Sequence, residues 1–122
     1  MGEVRATIEI RGVQANGSTP QRLEAFADTG ATLSMLPESL LTSAGIKPDG
    51  RVQMLVADGR TLERKTGHAW ITVNDDSTIT RIVFGEPDDA RILGLAAMEQ
   101  IGIMVDPVNR RLVPAGFKAF QA

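Results

Sequence analysis

The sequence contains no cysteine and has only one histidine and one tryptophan. The absence of cysteine excludes disulfide bonds, thiolate nucleophiles and cysteine metal sites. The one histidine, His68, has no histidine partner for a metal ion, so we expect it to be an ordinary residue on the surface of a strand. On these grounds we predict that the protein uses neither a metal ion nor another cofactor.

The sequence also lacks a strong positive charge and a long apolar run. Its 13 Lys and Arg residues are scattered and are outnumbered by 15 Asp and Glu residues, so they offer no positive field for a nucleic-acid backbone. No apolar run approaches the ~20 residues that span a bilayer. The first residues lead into the alternating stretch Thr7-Ile8-Glu9-Ile10 instead of an apolar signal core. We therefore expect a soluble, cytoplasmic protein that binds neither nucleic acid nor membranes.

The length and the hydrophobic content suit one compact domain. The chain has 122 residues, of which 43% are hydrophobic, and this is enough to form a core. We therefore predict a single domain over residues 1–122. Short strand-like segments recur at close spacing between turn residues, a pattern typical of a small barrel or sandwich. The predicted fold class is all-β with one or two short helices.

Alternation of polar and apolar residues predicts a hairpin near the start of the chain. One strand is expected over Ala6–Ile10, a turn over residues 15–18 and a return strand over Arg22–Ala27. Further along, Gly67 is expected to separate a polar stretch, residues 61–65, from the next strand. The other predicted elements are a helix between Pro37 and Gly45, a helix closed by Gly102, and strands over 52–57, 68–73, 78–84, 103–105 and 111–113.

The stretch Phe26-Ala27-Asp28-Thr29-Gly30-Ala31 carries an acidic residue from an apolar strand into a tight turn. Glycine at position 30 permits backbone angles that a Cβ atom forbids. Taken alone, the Asp-Thr-Gly triplet predicts an ordinary Asx-type turn, because all three residue types are common in turns. The alternative interpretation is that Asp28 is a catalytic carboxylate at the end of a strand. The triplet occurs once in the sequence.

Three further patterns follow the triplet in order. Ala57-Asp58-Gly59 with Arg60 is a hairpin signal, Ile92-Leu93-Gly94-Leu95 precedes a helix, and Val105-Asp106 leads through a turn to Leu112-Val113. Together with the triplet, these patterns resemble the single-domain retropepsin-like aspartic proteases, which include the retroviral proteases and their small prokaryotic relatives. The resemblance covers the chain from Ala6 to near Val113.

The resemblance implies an aspartic endopeptidase that hydrolyses peptide bonds with an activated water. It assigns Asp28 to catalysis and Thr29, Gly30 and Ala31 to support of the catalytic loop. Thr29 is expected to bond the partner loop through its hydroxyl, and Gly30 to let the two loops approach. Because one triplet supplies one carboxylate where a general acid and a general base are both needed, we expect a homodimer with Asp28 from each chain. The predicted partners are a second copy of the chain and a peptide or protein substrate.

Three details are specific to this chain. The tip Ala57-Asp58-Gly59-Arg60 resembles the substrate-binding flap of the family, whereas Asp58-Gly59 by itself predicts a plain type I′ turn. Family members often have a polar residue just after the second glycine motif, where this chain has Leu95-Ala96, so we expect a reduced or rerouted hydrogen-bond network. Ala31 has no hydroxyl to bond the Asp28 carboxylate, so we expect the acidic limb of activity at higher pH than in a relative with serine there.

Two other functions are compatible with the sequence. One is a catalytically silent retropepsin-like module for dimerisation or peptide binding, because an intact triplet proves neither a dimer nor an open cleft. The other is a β-barrel that binds a small ligand. For the tail, residues 115–122, both pairing across the dimer and a free end are compatible with the sequence.

Overall fold

Strands dominate the fold, as the alternation of polar and apolar residues predicts. The structure is a computed structural model that describes residues 3–14 and 19–117. The all-β fold class with short helices is confirmed. Its elements, in chain order, are β1 (Arg5–Gly12), β2 (Gln21–Asp28), β3 (Ser34–Pro37), α1 (Glu38–Ser43), β4 (Gly50–Leu55), β5 (Thr61–Val73), β6 (Asp76–Gly85), β7 (Ile92–Gly94), α2 (Leu95–Ile101), β8 (Ile103–Asp106) and β9 (Arg111–Pro114).

Six strands close into a barrel. β1 pairs with β2, and the order continues through β7, β3, β6 and β5, which returns to pair with β1. β4 is added outside the ring, on β5, and its other edge pairs with no strand in the described part of the chain. β8 and β9 form a separate two-stranded sheet. Of the two architectures that the sequence predicts, the barrel is the one observed.

The barrel is filled by apolar side chains that alternate with polar ones along its strands. In β1, Ala6, Ile8 and Ile10 are at most 8% exposed, whereas the residues between them face outward. Leu36 of β3 and Leu41 of α1 are fully buried and extend the same core. Each aliphatic side chain buried in this way contributes about 1.5–3 kcal/mol. The core therefore holds the short strands in register, including β2, which ends at Asp28, and its neighbour β7.

β5 is longer than the sequence predicts. It runs for 13 residues through Gly67, where we expected a break before a strand beginning at His68. Gly67 is buried, and a Cβ there would lie 2.8 Å from the Lys47 carbonyl oxygen and 3.0 Å from the Phe84 ring. Because glycine provides space for a neighbouring segment and the strand continues, the prediction of a break is wrong.

The last third of the chain forms as predicted. β7 leads into α2, which is closed by Gly102 in the left-handed conformation with a φ of 87°. The predicted closing hairpin is β8–β9, with Met104 opposite Val113. The predicted turn over residues 15–18 and residues 118–122 of the predicted tail lie outside the described residues. Within the described ranges, no helix is long and apolar enough to cross a bilayer.

Candidate active site

Asp28 is the last residue of β2, at the strand end where the sequence places it. Parallel pairing of β2 with β7 puts Asp28 opposite Gly94. The fold therefore brings the Asp-Thr-Gly triplet next to the second glycine motif, 64 residues further along. Asp28, Thr29 and Gly30 are exposed in the single chain, and Ala31 is half-buried. The carboxylate is thus accessible from solvent and close to both sequence motifs.

Main-chain and carboxylate groups of the triplet itself hold the turn after Asp28. The Gly30 N–H donates to Asp28 Oδ1 at 2.8 Å, and the Ala31 N–H donates to the Asp28 carbonyl oxygen at 3.2 Å. This is the Asx-type turn that the triplet predicts. In the described part of the chain, Asp28 Oδ2 and the Thr29 hydroxyl form no hydrogen bond. Both groups are therefore available to another molecule.

The sequence predicts two purposes for Gly30, unusual backbone angles and the approach of a partner loop, and the single chain tests the first. The φ of Gly30 is not positive, so the expected need for unusual backbone angles is wrong. A Cβ at this position would lie 3.2 Å from Asp28 Oδ1, closer than an ordinary contact. Glycine therefore keeps the surroundings of the carboxylate open.

The catalytic-loop candidate and the second glycine motif are joined through the main chain. Gly94 packs so closely on the loop that a Cβ there would lie 2.5 Å from the carbonyl carbon of Leu33. Just beyond it, the Leu95 N–H donates to the Ala31 carbonyl oxygen at 2.8 Å, and the Ala96 N–H to that of Thr32 at 3.0 Å. These are N–H groups of the first turn of α2, which have no partner within the helix. Leu95 and Ala96 have no polar side chains, and their backbone N–H groups make the hydrogen bonds to the loop instead.

Ser34 is a supporting residue that belongs to none of the sequence motifs. It begins β3, is 1% exposed, and accepts a hydrogen bond from the Gly94 N–H at 2.9 Å through its hydroxyl. A buried serine needs such a partner, because an unpaired polar group is costly in a core. The available signal was a single serine inside the apolar run Leu33-Ser34-Met35-Leu36. The partner, 60 residues away, could not be identified from the sequence.

A groove of about 450 Å³ opens beside Asp28. Apolar side chains from β2, β7 and β8 form most of its wall, and Glu3 adds a second carboxylate. An apolar concave surface with a few polar groups is the usual form of a binding site. The groove is lined by Glu3, Val4, Phe26, Ala27, Asp28, Thr29, Ala90, Ile92 and Val105.

A larger groove, of about 580 Å³, lies near α1 and the start of β5. Four of its six charged side chains are already paired with one another, in the Arg51–Glu63 and Lys65–Glu38 contacts. It contains no residue of either glycine motif. Size alone therefore does not identify the site, and the chemistry favours the groove at Asp28.

The predicted flap residues lie at the tip of the β4–β5 hairpin. The Gly59 N–H donates to the Val56 carbonyl oxygen at 3.0 Å, and the Asp58 carboxylate accepts from Arg60 through the backbone N–H at 3.0 Å and Nε at 2.6 Å. Among these tip residues only Gly59 has a positive φ, 88°. The turn is therefore type I followed by a glycine bulge, and the predicted type I′ turn is wrong.

A two-residue turn with positive φ at both positions occurs instead at Asn74 and Asp75, between β5 and β6. The β4–β5 tip, Ala57 to Arg60, contributes no side chain to the groove beside Asp28 in the single chain. The structure thus brings Asp28 and Thr29 together in one groove and leaves the flap residues outside it.

Other titratable groups lie outside this groove. His68 is exposed on β5, as predicted, and its Nδ1 lies 2.5 Å from Asp49 Oδ2. Hydrogen bonds from the side chain and backbone of Asn109 lower the pKa of Asp106, the last residue of β8. Over residues 3–14 and 19–117, no three His, Asp or Glu side chains converge in a way that would hold a metal ion.

Comparisons with known proteins agree with this arrangement. A family model described as aspartyl protease matches residues 6–97, well over half of the chain. The match spans the triplet, the β4–β5 hairpin and the second glycine motif. A search of curated proteins found no significant match.

Solved structures share the fold at low sequence identity. The solution structure of a simian foamy virus (mac) protease superposes with a TM-score of 0.54 at 19% identity, covering 77% of this chain and 90% of that one. A foamy viral protease–reverse transcriptase, solved with an RNA/DNA hybrid, superposes with a TM-score of 0.58 at 18% identity. There the match covers 80% of this chain but 12% of the viral one. The shared part is a retropepsin-like barrel.

Proposed function

The chain belongs to the retropepsin-like aspartyl protease family, and on this premise we propose that it is an aspartic endopeptidase whose active form is a homodimer. One observation carries the proposal. The Asp28 carboxylate stands exposed at an apolar groove, on a loop that is joined by backbone hydrogen bonds to the second glycine motif. A rigid loop that presents an accessible carboxylate beside a binding groove is what water activation requires.

The dimer supplies the second carboxylate. Peptide hydrolysis needs one group to accept a proton from water and another to donate one, and each chain has one Asp-Thr-Gly triplet. A twofold axis close to Asp28 places the same residue of a second copy opposite the first. Two adjacent carboxylates share one proton because two neighbouring negative charges repel, as in aspartic proteases generally.

The proton transfers follow from this arrangement. The ionised Asp28 takes a proton from water as the water oxygen attacks the carbonyl carbon of the peptide. The protonated Asp28 donates its hydrogen bond to the carbonyl oxygen. The carbon–nitrogen bond then breaks as the amide nitrogen takes the proton that the first Asp28 received from water, which returns the pair to its starting state. Neither a metal ion nor a covalent intermediate is required.

Two features of the single chain support a dimer. Thr29 is exposed, and its hydroxyl forms no hydrogen bond within the described ranges, so it is available to bond a partner loop. The β8–β9 hairpin borders the same groove through Val105, and its outer edges pair with no described strand. Unpaired strand edges are ready to add strands from another chain.

The substrate of the proposed enzyme is an extended peptide. The mostly apolar groove suits an apolar side chain next to the scissile bond. The β4–β5 tip, Ala57-Asp58-Gly59-Arg60, serves as a cover that closes over the peptide and excludes water. This role requires the tip to approach the groove when a partner and a substrate are bound.

Cleavage of a mixed peptide library at acidic pH tests the proposal. The native chain should cleave, Asp28→Asn should not, and the matched control Asp75→Asn, an exposed turn residue, should cleave as the native chain does. Sedimentation of the same samples reports the oligomeric state. Equal activity in Asp28→Asn would indicate a contaminating protease, and a dimer without any activity would favour the silent module.

A further inference from the structure

A second, smaller hollow adjoins the groove that holds Asp28. We call it the outer hollow; its volume is about 260 Å³, and it is lined by Arg5, Glu24, Ala25, Phe26 and Arg91. Phe26 also lines the groove, so the two depressions share a wall. Arg91 accepts a hydrogen bond from the Phe26 N–H through its carbonyl oxygen at 2.8 Å and directly precedes Ile92 of the groove. The outer hollow is therefore within reach of a peptide that lies in the groove.

Two arginines, Arg5 and Arg91, line the outer hollow without a carboxylate partner among the described residues. The Arg5 guanidinium carbon lies 5.1 Å from the centre of the Phe26 ring, which holds its planar group near the shared wall. Within the described ranges, neither Arg5 nor Arg91 forms an ion pair, whereas Arg51 and Arg60 do. Glu24 offsets one of the two charges, and the outer hollow keeps a net positive charge.

The neighbouring groove has the opposite charge. Among the described residues that line it, only Glu3 and Asp28 are charged, and both are carboxylates. An acidic side chain placed in the groove would meet two like charges, whereas the same side chain in the outer hollow would meet two arginines. Arginine binds carboxylates particularly well because its planar fork matches their geometry.

We propose that the outer hollow is a subsite that selects an acidic side chain of the substrate, with Arg5 and Arg91 as specificity-determining residues. This inference rests on the proposed function, since it takes the groove as the place where peptide binds. The preferred peptide carries an apolar or neutral residue in the groove and a Glu or Asp at one position further from the scissile bond. The subsite disfavours basic residues at that same position.

Binding to the inactive Asp28→Asn chain tests the subsite apart from cleavage. Two series of fluorescent peptides are prepared, which carry either Glu or Gln at one position, and this position is varied along the peptide. Each peptide is titrated with the protein at low and at high salt. At one position the Glu peptide should bind more tightly than the Gln peptide, by about fivefold for each arginine that contacts the glutamate. This factor corresponds to the ~1 kcal/mol of an exposed ion pair. High salt should reduce the preference.

Variants that each replace one arginine by glutamine show which arginines cause the preference for Glu. Arg5→Gln and Arg91→Gln, each added to Asp28→Asn, should lower the Glu preference. Arg22→Gln, which removes the same charge from an exposed site on β2 outside the hollow, should leave it unchanged. The inference is overturned if Glu and Gln peptides bind equally at every position, if Arg22→Gln acts like the other two, or if no peptide binds.

Cleavage by the native chain separates this inference from the proposed function. An acidic preference in binding without cleavage supports the subsite and contradicts the protease. Cleavage without an acidic preference contradicts the subsite and supports the protease.

Discussion

Replacement of Ser34 by alanine should destabilise the protein by about 1–3 kcal/mol, because it leaves the buried Gly94 N–H without its acceptor. Among the described residues, the hydroxyl of Ser34 is the one side-chain group of β3 that forms a hydrogen bond with the second glycine motif. Alanine removes it while adding no atoms, so the change creates no steric strain. Ser34 is only 1% exposed, which keeps solvent from replacing the lost bond.

Urea unfolding measures this loss directly. The midpoint should fall while the slope with denaturant stays the same, since the surface exposed on unfolding is unchanged. Ser39→Ala is the matched control: Ser39 is exposed on α1 and forms no side-chain hydrogen bond in the described part of the chain, so its effect should stay within about 0.5 kcal/mol. If Ser34→Ala and Ser39→Ala have the same midpoint, the hydroxyl does not stabilise the loop and the reasoning fails.

Three further predictions follow from the same region and from the C-terminal hairpin. Gly94→Ala should lower the free energy of unfolding in urea by about 3 kcal/mol or more, because the added Cβ would lie 2.5 Å from the backbone of Leu33, which cannot move aside as a side chain can. A loss below about 1 kcal/mol would contradict this close packing. Ala31→Ser should move the acidic limb of the pH–rate profile to lower pH, because the added hydroxyl bonds the ionised Asp28; an unchanged or higher limb would count against this. Asp106→Asn should lower stability at neutral pH and converge with the native chain in strong acid, as thermal unfolding across pH would reveal.

The direction of the Asp106 effect follows from its hydrogen bonds. The Asn109 side chain and the backbone N–H groups of Asn109 and Val108 all donate to this carboxylate and lower its pKa below the ordinary value of an aspartate. Asp106 therefore stabilises the native chain at pH values above the ordinary pKa of an aspartate, where its carboxylate is ionised in both the folded and the unfolded chain. The native chain loses this contribution as pH falls through the lowered pKa. A difference between native and variant that grows in acid would contradict the assignment.

Local patterns were sufficient to predict much of the fold. The alternation around Ile8 predicts a half-buried strand because side chains on a strand point to opposite faces in turn. Gly102 ends a helix because a left-handed residue closes the last turn, and glycine adopts that conformation without strain. Asp28 at a strand end follows from apolar residues that lead into turn residues. Each of these predictions depends on neighbours within a few residues.

Contacts between distant segments decided the rest. Gly67 does not break β5, because its role is to leave space for the carbonyl group of Lys47. The tip of the β4–β5 hairpin adopts a type I turn with a bulge at Gly59. The Asp-Gly sequence alone does not determine which turn type forms. The outer hollow forms where residues of β1, β2 and the segment before β7 meet. No local pattern connects Arg5 with Arg91.

The sequence by itself determined that the fold would be all-β, that its motifs resemble the retropepsin-like family, and that Asp28 would stand at the end of a strand. These properties are encoded in the period of apolar residues and in short motifs, which act over a few residues. Only the tertiary structure decided how that loop is held, through Ser34 and Gly94, and which charges lie beside the groove. Hydrogen bonding and packing in a barrel join residues 60 positions apart, and their partners become known only when the chain has closed on itself.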